Sequence, residues 1–279
     1  MGLRINQNIA AMNSYRNLSV TDGQMSKSLE KLSSGFRINR AGDDAAGLAI
    51  SEKLRGQVNG LNKASENAQN AISLIQTAEG ALNETHSILQ RMRELTVQGA
   101  NDTNTVEDRG YIQDEVDALA LELTRISTDT EFNGQKLLNA SGGGANNGTF
   151  NFQVGANNGQ AINVAIAASD AGTLGVGALD VATGTTAGTT TALTAIDAAI
   201  TTVSEERSNL GANQNRLEHT VANLNVSAEN LAASESRIRD TDMAKEMMAF
   251  TRSQILSQAG TAMLAQANQA PQGVLSLLR

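Results

Sequence analysis

Apolar residues recur at every seventh position from Ile196 to Ile238: Ile196, Val203, Leu210, Leu217, Leu224, Leu231 and Ile238. No proline interrupts the stretch, and its one glycine, Gly211, lies off the stripe. A sustained heptad stripe predicts a helix with a narrow packing seam. At 1.5 Å per residue it is roughly 63 Å long. So long a helix needs a comparable partner along its length. A second heptad series over 57–99 supplies one: Leu61, Ala68, Ile75, Leu82 and Leu89, with Ala64, Ala71, Ala78 and Met92 each three residues after a member. Its alanines let the partner approach closely. The predicted core seam is therefore Leu61, Ile75 and Leu82 on one helix against Leu210, Leu217, Leu224 and Leu231 on the other.

Shorter patterns flank this pair. Residues 4–34 read as helix, with Ile5, Ile9 and Met12 on one stripe and Met25, Leu29, Leu32 and Phe36 on the next. Gly35 supplies its stop, because glycine accepts the left-handed conformation that ends many helices. A helix over 105–128 carries Val116, Leu119, Leu123 and Ile126 on one face. Thr105 is its N-cap, and Glu107 and Asp108 suit its first turn. From about 240 the helical pattern resumes with Met248, Ile255, Leu256, Ala259 and Met263. Pro271 is expected to end that helix, and the apolar run from Val274 to Leu278 needs burial in this chain or in a neighbour.

The middle of the chain differs. Between Lys136 and Asp197 the only charged residues are Asp170 and Asp180. Thr149–Val154 and Ala161–Ile166, separated by Gly155 to Gly159, predict a β-hairpin. Thr183 to Thr191 reads as a flexible, low-complexity link, and Gly172 to Gly177 as linker. The fold class that follows is mainly α: a long, antiparallel, coiled-coil-like helical rod with a small β-hairpin region.

Composition sharpens this. Hydrophobic residues make up 40%, aromatics only 3%, and there is no Trp. Such a chain buries small aliphatic side chains along a seam instead of a compact aromatic core. A net charge of −8 argues against nucleic acid or an anionic membrane as partner. The absence of Cys removes disulfides, thiolate metal sites and cysteine nucleophiles. The N-terminal stretch has no apolar core or A-x-A site of a secretory signal, and Asn6 breaks a myristoylation motif. No run approaches the ~18 apolar residues of a membrane span.

Candidate chemistry is sparse. His86 and His219 sit inside heptad helices and outside any H-E-x-x-H pattern. Gly172 to Gly177 lacks the strand–turn–helix setting and the lysine of a phosphate loop. Glu205 and Glu206 are adjacent, so they diverge on a helix. Asp43 or Asp44 is expected to be a helix N-cap, with Arg37 and Arg40 as their ion-pair partners. No nucleophile, base and orienting group form a set. We therefore expect no enzyme activity, no metal and no cofactor.

Two terminal motifs carry a family resemblance. LEKLSSGFRINRAGDDAAGLAISEKLRG at 29–56 resembles the N-terminal signature of bacterial flagellins. SQILSQAGTAMLAQANQAPQGVLSLLR at 253–279 resembles their C-terminal signature. QRMRELTVQ at 90–98 and FNGQKLL at 132–138 are similar too. What departs is the middle, which is too short for the outer domains of larger flagellins.

The resemblance implies a subunit that polymerises into the flagellar filament for motility, with paired terminal helices forming the filament core. It implies a division into 1–44 and 239–279 as the two halves of that core domain, 45–180 as the first outer domain, and 181–238 as its long C-terminal helix. Self-assembly then falls on Ile5, Ile9, Met12, Leu29, Leu32, Ile255, Leu256, Met263, Leu275 and Leu278. Implied partners are other copies of the chain, an export chaperone, a cap protein, hook-associated proteins and a Toll-like receptor of the host. The expected location is the extracellular flagellum, reached by flagellar type III export without a cleaved signal. Receptor contact maps to Arg91, Leu95 and Glu115. Arg91 and Leu95 are four apart and are expected on one exposed helix face, outside the Leu89–Met92 seam. The alternative is a hook–filament junction subunit or another secreted helical rod.

Overall fold

A computed structural model of the chain describes residues 8–143, 147–182 and 186–277. Along the chain run α1 (Ile9–Ser34), α2 (Ala45–Gly99), α3 (Val106–Asp129), β1 (Glu131–Phe132), β2 (Gln135–Lys136), β3 (Thr149–Gln153), β4 (Ala161–Ala165), α4 (Thr186–Arg239) and α5 (Met243–Leu277). The fold is mainly α with a small β region. Contacts between Cα atoms divide it into two units. One is Met1–Gly56 with Asn230–Arg279, and the other is Gln57–Glu229.

In the unit Gln57–Glu229, α2 and α4 run antiparallel along the predicted seam. Ser65 Oγ donates to Asn225 Oδ1 at 3.2 Å, Arg207 faces Glu79 at 3.9 Å, and Arg93 pairs with Asp197 at 2.7 Å. Ile75, Leu82, Leu210, Leu217 and Leu224 are buried. Leu61 is half-buried only and lines an open groove of about 630 Å³ beside the β3–β4 hairpin, and Leu231, also half-buried, falls in the other unit. Alanines 64, 68, 71 and 78 are buried among them, as a closely approached seam requires.

A second packing face closes this core. Leu74 and Leu95 of α2 are buried with Ile112, Val116, Ala120 and Leu123 of α3, and with Phe150 and Val164 of the hairpin. Thr105 caps α3 by accepting from the Asp108 N–H, while the Asp108 carboxylate accepts from the Thr105 N–H, a reciprocal capping box. The β3–β4 hairpin forms where expected, with Thr149 opposite Ala165 and Gln153 opposite Ala161. Its turn lies close on α2: a Cβ on Gly60 would sit 2.9 Å from Ala156 Cβ.

Several expectations are corrected. A second hairpin, β1–β2, turns at Asn133-Gly134, both with positive φ (52° and 76°). Asn-Gly is the strongest short hairpin signal, so FNGQ was legible. Gly172 to Gly177 is not a linker, because Leu174 and Val176 join the core with Ala171, Leu179 and Val181. Asp170 shapes that loop by accepting from the N–H groups of Gly172 and Thr173. The expected link over 183–191 is helical from Thr186, because Thr189, Ala192 and Ile196 continue the buried seam backwards. Residues 183–185 lie outside the described residues. Helix α2 begins at Ala45, twelve residues before its predicted start at 57. Pro271 does not end α5, which continues to Leu277.

Candidate assembly surface

In the unit Met1–Gly56 with Asn230–Arg279, α1 packs antiparallel on α5. Three contacts fix the register. Asn8 Nδ2 donates to the Ala267 carbonyl at 2.7 Å. Gly260 lies against Leu18, with Cδ1 only 3.2 Å from where a Cβ would stand. Ser257 Oγ donates to Asp22 Oδ1 at 2.9 Å. The covered face of α1 is Ala11, Ser14, Leu18, Thr21, Met25, Ser28 and Leu32, and that of α5 is Phe250, Ser253, Ser257, Gly260, Leu264 and Ala267. Small and hydroxyl side chains dominate both. Helices that meet on short side chains come close without burying their large ones.

Leu18, Met25, Leu32, Phe250 and Leu264 lie within this seam, but many other large apolar side chains are left outside it. Ile9, Met12, Leu29, Ile255, Leu256 and Met263 are 50–63% exposed, and Leu32 is half-buried. Tyr15, Val20, Met247 and Met248 add to the exposed set. Met247, Met248, Ile255 and Leu256 line a shallow groove of about 480 Å³. Contiguous apolar exposure is the usual mark of an interaction surface, which makes these faces the candidates for one. Of the positions assigned to self-assembly, Ile5 and Leu278 lie outside the described residues, as does the side chain of Leu275.

The turn between α1 and α2 is held by its own backbone. Gly35 ends α1 at φ +75°, its N–H donating to the Lys31 carbonyl. Asp43 accepts from the N–H groups of Arg40 (3.0 Å) and Asn39 (3.2 Å), which hold its carboxyl below the usual carboxylate range. Asp44 accepts from the Gly47 N–H at 2.8 Å at the start of α2. The carboxylates are thus occupied by backbone donors, and the expected arginine pairing is corrected. Arg37 donates to the Ile238 carbonyl, and Arg40 pairs with Glu30 at 2.9 Å. The segment bridges to the α4–α5 junction. Phe36 pairs with Asp240, and Arg239 lies 4.5 Å above the Phe36 ring while pairing with Glu52.

In the other unit, Arg91 Nη2 pairs with Glu115 at 2.8 Å and Arg91 Nη1 with Glu94 at 3.3 Å. Its hydrogen bond to Glu115 raises the Arg91 pKa further. Arg91 and Glu115 are exposed, but Leu95 is not: it is 2% exposed. The expectation that Leu95 stands beside Arg91 on the surface is corrected. Leu95 lies outside the α2–α4 seam, yet a third element, α3, covers that flank with Ile112 and Val116. Val106, Tyr111 and Leu121, unmarked by any sequence motif, are large apolar groups of α3 that are exposed.

Neither histidine assembles a site. His86 Nε2 shares a hydrogen bond with Gln90 at 2.9 Å, and His219 is exposed on the groove beside the hairpin. Among the described residues no group of three or more His, Asp or Glu side chains is arranged to hold a metal. No helix among them is long and apolar enough to cross a membrane.

The family model "bacterial flagellin N-terminal helical region" matches residues 5–142, and "bacterial flagellin C-terminal helical region" matches residues 193–278. A flagellin of Halalkalibacterium halodurans is 56% identical over 277 residues, covering 99% of both chains. A flagellin of Bacillus subtilis is 54% identical over 305 residues, covering 99% of this chain and all of the other. The crystal structure of Bacillus cereus flagellin superposes with a TM-score of 0.50 at 32% identity, covering 61% of this chain and 94% of that one.

Proposed function

The chain belongs to the bacterial flagellin family, and from that premise we propose that it polymerises through the exposed apolar faces of α1 and α5. It is a structural subunit of the flagellar filament and serves motility; it is not an enzyme. The observation that carries the proposal is the division of labour on the terminal helices. Their mutual seam mixes small and hydroxyl side chains with Leu18, Met25, Leu32, Phe250 and Leu264, while Ile9, Met12, Leu29, Ile255, Leu256 and Met263 are exposed. Covering those side chains with further copies supplies the hydrophobic drive for assembly. Ile5, Leu275 and Leu278 extend the same reading to the chain ends, with 1–44 and 239–279 as the two halves of the filament core. Deleting 245–279 is expected to leave a soluble helical subunit that forms no filaments under the electron microscope. Normal filaments from that truncation would overturn the reading.

The export chaperone, cap protein and hook-associated proteins are proposed to use these same terminal faces before and at the ends of polymerisation. Export through the type III channel is supported by the absence of Cys, since a disulfide would obstruct passage of an unfolded chain.

A second surface is proposed for a host Toll-like receptor, on Arg91 and Glu115. Their exposure and their pairing across α2 and α3 favour it. Arginine is enriched at binding hot spots because its fork pairs with carboxylates and its stem packs on apolar surface. With Leu95 buried, the Arg91→Ala variant alone is the clean test. It is expected to keep its thermal midpoint and to weaken receptor binding about tenfold or more. Unchanged binding by the folded variant leaves Arg91 and Glu115 as a surface ion pair only.

A further inference from the structure

We propose that the Asn8 side chain replaces the hydrogen bond that Pro271 removes from α5, and that this clip holds the C-terminal turns of α5 helical for assembly. Helix α5 runs through Pro271 to Leu277. In an α-helix the N–H of residue 271 would donate to the carbonyl of residue 267, and proline has no N–H to give. The orphaned acceptor is therefore the Ala267 carbonyl. It is the one group on α5 to which Asn8 Nδ2 donates, at 2.7 Å.

Asn8 serves both helices at once. Its Oδ1 accepts from the Ala11 N–H at 3.1 Å, and its main-chain carbonyl accepts from the Met12 N–H at 3.1 Å, so it is the N-cap of α1. Asp, Ser and Thr cap a helix comparably well. Only Asn carries an acceptor and two N–H donors on one short, planar group, so that one edge caps α1 while the other reaches α5. The donor explains the choice of residue here; capping alone does not.

The bond joins groups 259 residues apart in sequence. It forms only when α1 lies on α5. The proline thus makes the last turns of α5 conditional on pairing of the two chain ends. Asn8 is a positioning residue in this scheme and rests on the reading of α1 and α5 as the assembly surface.

The test is a two-by-two set built from Asn8→Asp and Pro271→Ala in the full chain. The Asn8→Asp change keeps the cap, and its charge favours a helix N-terminus, but the new carboxylate cannot donate to Ala267. The Pro271→Ala change restores the missing N–H. The readout is the critical concentration for seeded polymerisation. Asn8→Asp is expected to raise it about five- to tenfold when Pro271 is kept, and less than about twofold in the Pro271→Ala background. Equal factors in both backgrounds overturn the clip. Where a variant does not polymerise alone, a minor labelled fraction is co-assembled with wild type and amide exchange is followed over 265–275. Exchange is expected to quicken with Asn8→Asp and to recover when Pro271→Ala is added. Exchange unaltered by Asn8→Asp overturns the proposal. Failure here leaves assembly through the terminal helices standing, since that reading falls only to filaments formed without 245–279.

Discussion

Leu217→Ala should be among the costliest single truncations in the unit Gln57–Glu229. Leu217 is wholly buried in the seam between α2 and α4. The change removes three carbons, roughly 2.4 kcal/mol of transfer free energy at about 0.8 kcal/mol per methylene. A cavity term follows, because the neighbouring seam is built on Ala68, Ala71 and Ala78, which are too short to fill the space. At about 24 cal/mol per Å³, incomplete collapse adds up to ~2 kcal/mol. The expected loss is about 3–5 kcal/mol. Leu61 belongs to the same seam but is half-buried on an open groove that water can enter, so Leu61→Ala should cost only about 1–2 kcal/mol. Urea unfolding measures the difference. A Tyr15→Phe background leaves Tyr111 of α3 as the sole tyrosine and reports this unit alone. If Leu217→Ala costs no more than Leu61→Ala, the two leucines are equally buried and the seam is misplaced.

Thr85 continues the seam series of Ala64, Ala71 and Ala78 by one more repeat; it is fully buried and its Oγ1 has no hydrogen-bond partner. Thr85→Val should therefore raise stability by about 1 kcal/mol, since an unpaired buried hydroxyl is replaced by a methyl of similar shape. A fall in the urea midpoint would show that the hydroxyl is satisfied. Acid should loosen the capped turns. Asp43, Asp108 and Asp170 are held below their ordinary range, by the Arg40 N–H, the Thr105 side chain and the Thr173 side chain respectively. A carboxylate with a depressed folded pKa stabilises above its unfolded value and loses that contribution as pH falls through the folded one. The thermal midpoint is expected to drop below about pH 4, and Asp108→Asn should flatten the drop. A midpoint independent of pH between about 2 and 6 would refute the capping role.

The sequence by itself determined what depends on local periodicity and local chemistry. The heptads of α2 and α4 named their own seam, down to Ile75, Leu82, Leu210 and Leu217. Thr105 with Asp108 announced the start of α3, and Gly35 the end of α1, because caps are made by residues within a turn of the helix end. Glycine-punctuated alternation announced β3 and β4. The terminal motifs fixed the family.

Tertiary structure decided which of several partly apolar faces each helix buries, and against what. Leu95 looked free because it lies outside one seam, and it is buried because α3 forms a second. The terminal helices carry apolar stripes, yet these split: Met25 and Leu32 turn into a seam they share with serine, threonine, alanine and glycine, while Ile9, Met12, Leu29, Ile255, Leu256 and Met263 stay outside. The weakly patterned segment from Ala171 to Val181 closes a core whose other walls arrive from distant sequence. Pro271 reads locally as a stop, and α5 passes it beside a donor from the opposite end of the chain. A local pattern fixes the direction in which a side chain points. Whether water, a neighbouring helix or a remote amide meets it there depends on contacts between residues far apart in sequence, and those exist only once the chain has folded.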